Sequence, residues 1–158
     1  FSNRAHRLEE QIDVLRKLWT EDHVTFAGQW HTINDAGLAP MPVQRPIPVW
    51  IGAIADGAVQ RAGRIADGWQ VIAFDQQSDE TAAKFELFRS AALNAGRDPS
   101  TLGIEATLFT HEGGPEEWAE SARRWTDRGA TQLVLRPQGD FAAFMRDVEA
   151  FGPLLADL

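Results

Sequence analysis

Residues 49–74 read VWIGAIADGAVQRAGRIADGWQVIAF, and the rhythm of this stretch decides the fold. Residues 49–53 are a short apolar run, 58–65 fit a short helix, and 69–74 are apolar again. Two apolar runs of strand length joined by a helix make a βαβ unit, whose strands must lie parallel. The pattern continues downstream. Residues 79–95 fit a helix with Ala82, Phe85, Phe88 and Ala92 turned inward, and Gly96 suits its carboxyl-terminal cap. Residues 104–109 predict a third strand. Pro115 suits the first position of a helix carrying Trp118, Ala122 and Trp125, and Gly129 closes it. Residues 131–136 predict a fourth strand, followed by a helix with Phe141, Phe144, Val148 and Leu155 on one side.

Strand then helix, repeated, means an α/β fold of parallel strands joined by right-handed crossovers. The strands are apolar at most positions, as in sheets covered on both faces. Three architectures share this pattern: a complete doubly wound sheet, a small flavodoxin-like domain, and half of a (β/α)8 barrel. The chain opens on Phe1 and runs almost directly into a helix, which favours the half barrel. The expectation is therefore one partial barrel domain over residues 1–158, with four strands and about five helices.

Upstream of the repeats, Leu8, Ile12, Leu15 and Trp19 recur at helical spacing, predicting an amphipathic helix to about Trp19. Residues 20–48 read as an irregular, proline-rich insertion. Within it, 24–26 and 30–32 flank Ala27-Gly28 and suggest a small hairpin. Pro40, Pro42, Pro46 and Pro48 each deny the chain a backbone donor, so this approach should be extended.

With 158 residues the chain is long enough for a proper core. Its 23 Asp plus Glu against 15 Lys plus Arg give a formal charge of -8, which argues against a nucleic-acid surface. No cysteine is present, and His6, His23, His31 and His111 show no metal-ligand spacing. No apolar run approaches the roughly 20 residues a membrane span requires. With no signal peptide visible, a cytoplasmic protein is expected.

Several strings, taken in order, carry a family likeness: RLEEQIDVLRKLW at 7–19, FAGQWHTI at 26–33, PMPVQRPIPVWIGA at 40–53 and RAGRIADGW at 61–69. Together they resemble the luciferase-like monooxygenase superfamily, and more closely its branch associated with the deazaflavin F420. The resemblance implies a (β/α)8 barrel of which this chain is the carboxyl-terminal half, roughly strands five to eight. It implies F420 or FMN as cofactor, a small-molecule substrate, and an oxidoreductase or monooxygenase activity to which this chain contributes a cofactor-handling portion. The partner expected is a second copy or the missing amino-terminal half. A competing reading is a non-catalytic half barrel that pairs with another chain without turnover.

Strand carboxyl ends carry the chemistry in such barrels. There, the backbone amides of Gly52, Ala53, Ile54 and Ala55 precede a helix whose positive end favours an anion. A plain βα turn explains the same residues equally well; the resemblance favours a phosphate cradle. Family members commonly place Gly-Gly, or Gly-Gly-x-Ser, at this loop, whereas here Ala53 replaces the second glycine and no serine follows. Ile72 is expected at the cofactor end of the next strand. Asp75 stands where some F420 enzymes have a lysine, which weighs against a polyanionic cofactor tail. Arg136 ends the last strand and suits a phosphate or an acidic substrate, or a surface ion pair with Asp140 or Glu112. His111 reads as a loop histidine, and no side chain is assigned as catalytic.

Overall fold

Strand order separates the three architectures. The structure, a computed structural model, describes residues 3–71, 78–110, 113–137 and 139–157. These fall into two compact units, within 1–49 and within 50–158. In the second unit β3 (Trp50–Ala53), β4 (Gly68–Val71), β5 (Gly103–Phe109) and β6 (Gln132–Arg136) form one parallel sheet in the order β3-β4-β5-β6. Chain order and spatial order coincide, so there is no switch point of the doubly wound or flavodoxin kind. Between the strands run α2 (Asp56–Ile65), α3 (Asp79–Asn94) and α4 (Pro115–Arg128), and α5 (Phe141–Phe151) follows β6.

The register makes the sheet two-faced. Ile51, Trp69 and Ile104 share one row, and Ala53, Val71, Ala106 and Leu133 the next, all turned to the helices. With Val59, Ala62, Phe85, Phe88 and Trp125 they form the main core, while Leu108, Trp118, Ala122 and Phe151 form a second cluster. The opposite face carries Gly52, Gln70, Gln132, Val134 and Arg136, all exposed. Helices on one face and an open second face are the geometry of barrel wall, not of a sheet covered by helices on both sides. The apolar strands therefore owe most of their composition to the helix face, with Trp50, Phe109 and Val134 adding apolar positions on the open one.

At the amino-terminal edge of the open face lies a single aromatic floor. Trp50, Gly68 and Gly103 begin their strands in register, and the Trp50 indole lies across both glycines. A Cβ at either position would fall inside the ring, so bare main chain is what this indole requires.

The helix ends follow from local chemistry. Ser78 Oγ accepts from the Thr81 amide at 3.1 Å, and Asp140 Oδ1 from the Ala143 amide at 2.9 Å. At the end of α3, Gly96 adopts φ +72, and the amides of Arg97 and Gly96 bond the carbonyls of Ala92 and Leu93 in a Schellman motif. Two inward sets differ from expectation. In α3 the buried position is Thr81, with Ala82 half-buried. In α5, Phe141 is 75% exposed and Phe151 is the buried aromatic, packed in the cluster with Leu108, Trp118 and Ala122.

In the first unit, α1 (Arg4–Thr20) buries Ile12 and Val14, while Leu8 and Leu15 stay exposed. β1 (Val24–Ala27) and β2 (Thr32–Ala36) pair antiparallel, so the hairpin runs beyond the residues that suggested it. One carboxylate ties helix to hairpin. Glu10 accepts from the amides of Gln29 at 2.7 Å, Trp30 at 2.9 Å and His31 at 2.7 Å, and from the His31 ring Nδ1 at 2.8 Å. Gly28 lies against the same carboxylate, where a side chain would collide with it. Burial pushes the Glu10 carboxyl up, but the hydrogen bonds from the His31 ring and the three amides outweigh it and hold it below its ordinary value. A carboxyl held low stabilises the fold above the ordinary glutamate pKa of about 4.3, and that contribution disappears as pH falls through the lower folded value. Circular-dichroism melts between neutral and strongly acidic pH should show this loss. Glu10→Gln should remove it and lower the melting temperature at neutral pH by several degrees. A variant with the wild-type pH profile would contradict the role.

Candidate functional site

The carboxyl ends of β3 and β6 bring residues 52–55 and Arg136 to one rim of the sheet. Residues 52–55 leave β3 there. Strand alternation turns Gly52 to the open face and Ala53 to the core, where Ala53 is 4% exposed. The methyl that replaces a second glycine therefore points away from any ligand on the open face. The Ala53 carbonyl accepts from the buried Trp69 indole Nε1 at 3.1 Å, which anchors the end of the strand. Ile54, 54% exposed, and Ala55, also exposed, complete the turn. Ala55 is the N-cap of α2, with φ −69 and ψ 141 and no side chain able to cap. Its carbonyl is engaged by the amides of Ala58 and Val59, at 2.8 and 3.0 Å.

A second feature sets the local charge. Asp56 occupies the first turn of α2, where a carboxylate interacts favourably with the helix dipole but competes with an incoming anion. Lys84 of α3 pairs with it through a hydrogen-bonded salt bridge. One of the chain's two lysines is thus spent neutralising the acid beside the turn.

Arg136 ends β6 on the same rim and the same face. It is three strands from β3, roughly 14 Å across the sheet at the usual strand spacing. Its guanidinium lies 5.7 Å from the centre of the Phe109 ring, its register partner on β5. Asp140, considered as an ion-pair partner for Arg136, instead caps α5. Buried Thr110 donates to Asp147 Oδ2 at 2.5 Å, bracing the end of β5 against α5. Ile72, Asp75, His111 and Glu112 lie outside the described residues. Among the described residues no group of three or more His, Asp or Glu is arranged to hold a metal. No helix among them is long and apolar enough to cross a membrane. A cleft of about 430 Å³ between the start of α4 and the end of α5 is lined by Glu116 and Glu117, the wrong sign for a phosphate.

Sequence reasoning missed the Glu10 tie, the Lys84–Asp56 pair, and a glutamate on the open face, Glu105. Only the last had a visible signal: a charge at an alternate position of an otherwise apolar strand.

A parallel sheet in chain order, with helices on one face and an exposed turn at its carboxyl rim, has the geometry of (β/α)8-barrel wall. The family model for luciferase-like monooxygenases matches residues 1–152, and the chain belongs to that family. It is 33% identical over 125 residues to the F420-dependent hydroxymycolic acid dehydrogenase of Mycobacterium tuberculosis, covering 79% of this chain and 34% of that protein. It is 36% identical over 130 residues to the F420-dependent glucose-6-phosphate dehydrogenase of Kineococcus radiotolerans, covering 81% of this chain and 38% of that one. The chain thus spans well under half the length of these relatives. A long-chain alkane monooxygenase superposes with a TM-score of 0.87 at 11% identity, over 99% of this chain and 57% of its own. An F420-dependent secondary alcohol dehydrogenase in complex with an F420-acetone adduct superposes with a TM-score of 0.76 at 17% identity, over 94% and 62%. These likenesses establish the fold as part of a (β/α)8 barrel.

Proposed function

We propose that the chain carries the phosphate-binding portion of an oxidoreductase or monooxygenase that uses F420 or FMN, with the amides of Gly52, Ala53, Ile54 and Ala55 as the cradle. The observation that carries this reading is the uncapped start of α2 at the open rim. Gly52, Ile54 and Ala55 are exposed there although Ala53 is buried, and Lys84 offsets the neighbouring acid. The names of the relatives point to F420, and the general rule that (β/α)8 barrels bind their ligands at the carboxyl rim supports the reading. When bound, such a cofactor supplies the redox chemistry; the protein binds it, orients it and excludes water.

Arg136 lies too far across the sheet to share that phosphate. It is assigned instead to a second anionic group, on the substrate or elsewhere on the cofactor, with Phe109 beneath it. Ile72 is retained as a cofactor contact on the strength of the family likeness.

Ala55→Pro tests the cradle. The backbone at Ala55 already has the φ that proline imposes, so the substitution removes one N–H and little else. Loss of one hydrogen bond to a charged group, about 1.5–3 kcal/mol, should weaken F420 or FMN binding by roughly ten- to a hundredfold in fluorescence titration. Wild-type affinity in a folded Ala55→Pro chain would remove the cradle. Indifference of the wild type to F420, FMN and inorganic phosphate alike would remove the reading altogether.

A further inference from the structure

The charges beside the turn at residues 52–55 distinguish one kind of phosphate from another. Asp56 follows the turn directly and is the only charged residue from Val49 to Gln60. Its side chain is 70% exposed, whereas the Lys84 side chain bonded to it is 19% exposed. The carboxylate is thus the outward member of the pair, and the ammonium lies behind it. Lys84 stands in the second turn of α3 yet reaches the first residue of α2, so the two helix starts lie side by side. The first turn of α3 adds Asp79 and Glu80, both exposed. The two first turns together hold three carboxylates, and the ammonium that reaches them is already engaged.

A helix start offers an anion roughly half a positive charge, and only over its first turn. Repulsion from Asp56 grows in proportion to the charge that approaches, so a dianion suffers twice the penalty of a monoanion. The two cofactors differ in this respect. FMN carries its phosphate as a monoester, close to doubly charged at neutral pH, whereas the phosphate of F420 is a singly charged diester.

We propose that Asp56, backed by Lys84, is a specificity-determining residue of the cradle, which takes a singly charged phosphodiester in preference to a doubly charged phosphomonoester. The inference rests on the phosphate cradle at 52–55 and narrows the ligand that the cradle takes.

Fluorescence titration with FMN, its methyl phosphodiester and riboflavin tests it, because these differ only at the end of one side chain. Wild type, Asp56→Asn and Lys84→Gln would be compared, with thermal melts confirming that each chain is folded. Wild type should bind the diester more tightly than FMN. Asp56→Asn removes the acid and releases the ammonium. It should tighten the diester roughly threefold and FMN roughly tenfold, since doubling the charge doubles the energy and squares the factor. Lys84→Gln should weaken the two by similar factors, so either variant suffices if the other does not fold. Riboflavin should bind all three chains alike. Equal shifts for FMN and the diester, or a wild type that prefers FMN, overturn the proposal and leave the cradle standing. A riboflavin affinity that moves as far as that of FMN also overturns it, because the substitutions then act elsewhere than on the phosphate. Esters that bind no more tightly than riboflavin in every chain overturn the cradle and the proposal together.

Discussion

Trp69→Ala is expected to cost about 3–5 kcal/mol of folding stability, the range for deleting a buried tryptophan. Trp69 is 1% exposed and sits where three elements meet. Its ring packs edge-on to Phe85 at 5.2 Å and tilted on Phe88 at 5.4 Å, and Phe85 in turn stacks on Trp125 at 6.1 Å. Its Nε1 also holds the Ala53 carbonyl, so truncation opens a cavity and strips a donor from the end of β3. In a chain of this size the loss should lower the melting temperature by on the order of 10 °C. Trp69→Phe separates the two effects, because it keeps most of the packing and deletes only the donor. Its stability loss should be under half that of alanine, yet cofactor affinity should fall, since the rim turn loses its anchor. A Trp69→Phe chain with unchanged stability and unchanged affinity would show that the indole hydrogen bond matters for neither.

Gly63→Ala should destabilise by about 2 kcal/mol, against the usual gain of about 1 kcal/mol when alanine replaces glycine inside a helix. Gly63 is buried where α2 crosses α3. A Cβ there would overlap the Phe88 carbonyl oxygen and press on Ala91 Cβ at 3.0 Å and the Ala92 nitrogen at 3.2 Å. Backbone cannot rotate aside as a side chain can, so the helices must separate. The Gly63 carbonyl also accepts from the Arg97 guanidinium at 2.9 Å, a bond that such a shift would lengthen. Gly57, in the same helix, is the internal control. A Cβ there meets nothing within 4 Å, so Gly57→Ala should be neutral or stabilising by up to about 1 kcal/mol. Chemical denaturation of the two variants side by side distinguishes steric conflict from helix propensity. Equal shifts in the two would refute the close-packing account.

Much of this architecture was legible because strand and helix periods differ and because the helix-facing residues are large and apolar. Phe85, Phe88, Trp118 and Trp125 were read correctly from spacing alone. The errors have a common physical source. Along α5, Phe141 and Phe151 are equally apolar, and only the packing of the last turn decides which is buried. In α3 a threonine took the buried place beside an alanine because the crossing with neighbouring elements, not hydrophobicity, sets the rotation of a helix. The Glu10 tie was invisible for another reason: its partners lie 19 to 21 residues away, and no local period reports a carboxylate bonded to consecutive amides. Two of the strings that carry the family likeness, the Glu-Glu helix and the Gly-Gln-Trp-His loop, are the two ends of that one contact. At the rim, small residues marked the turn but did not say that the methyl of Ala53 faces the core; the strand register was needed for that.

The indole of Trp50, laid over two glycines, binds three positions into one evolutionary unit. While the ring is there, neither 68 nor 103 has room for so much as a methyl group. Change at these sites therefore has a required order, in which the tryptophan must give way before either glycine can.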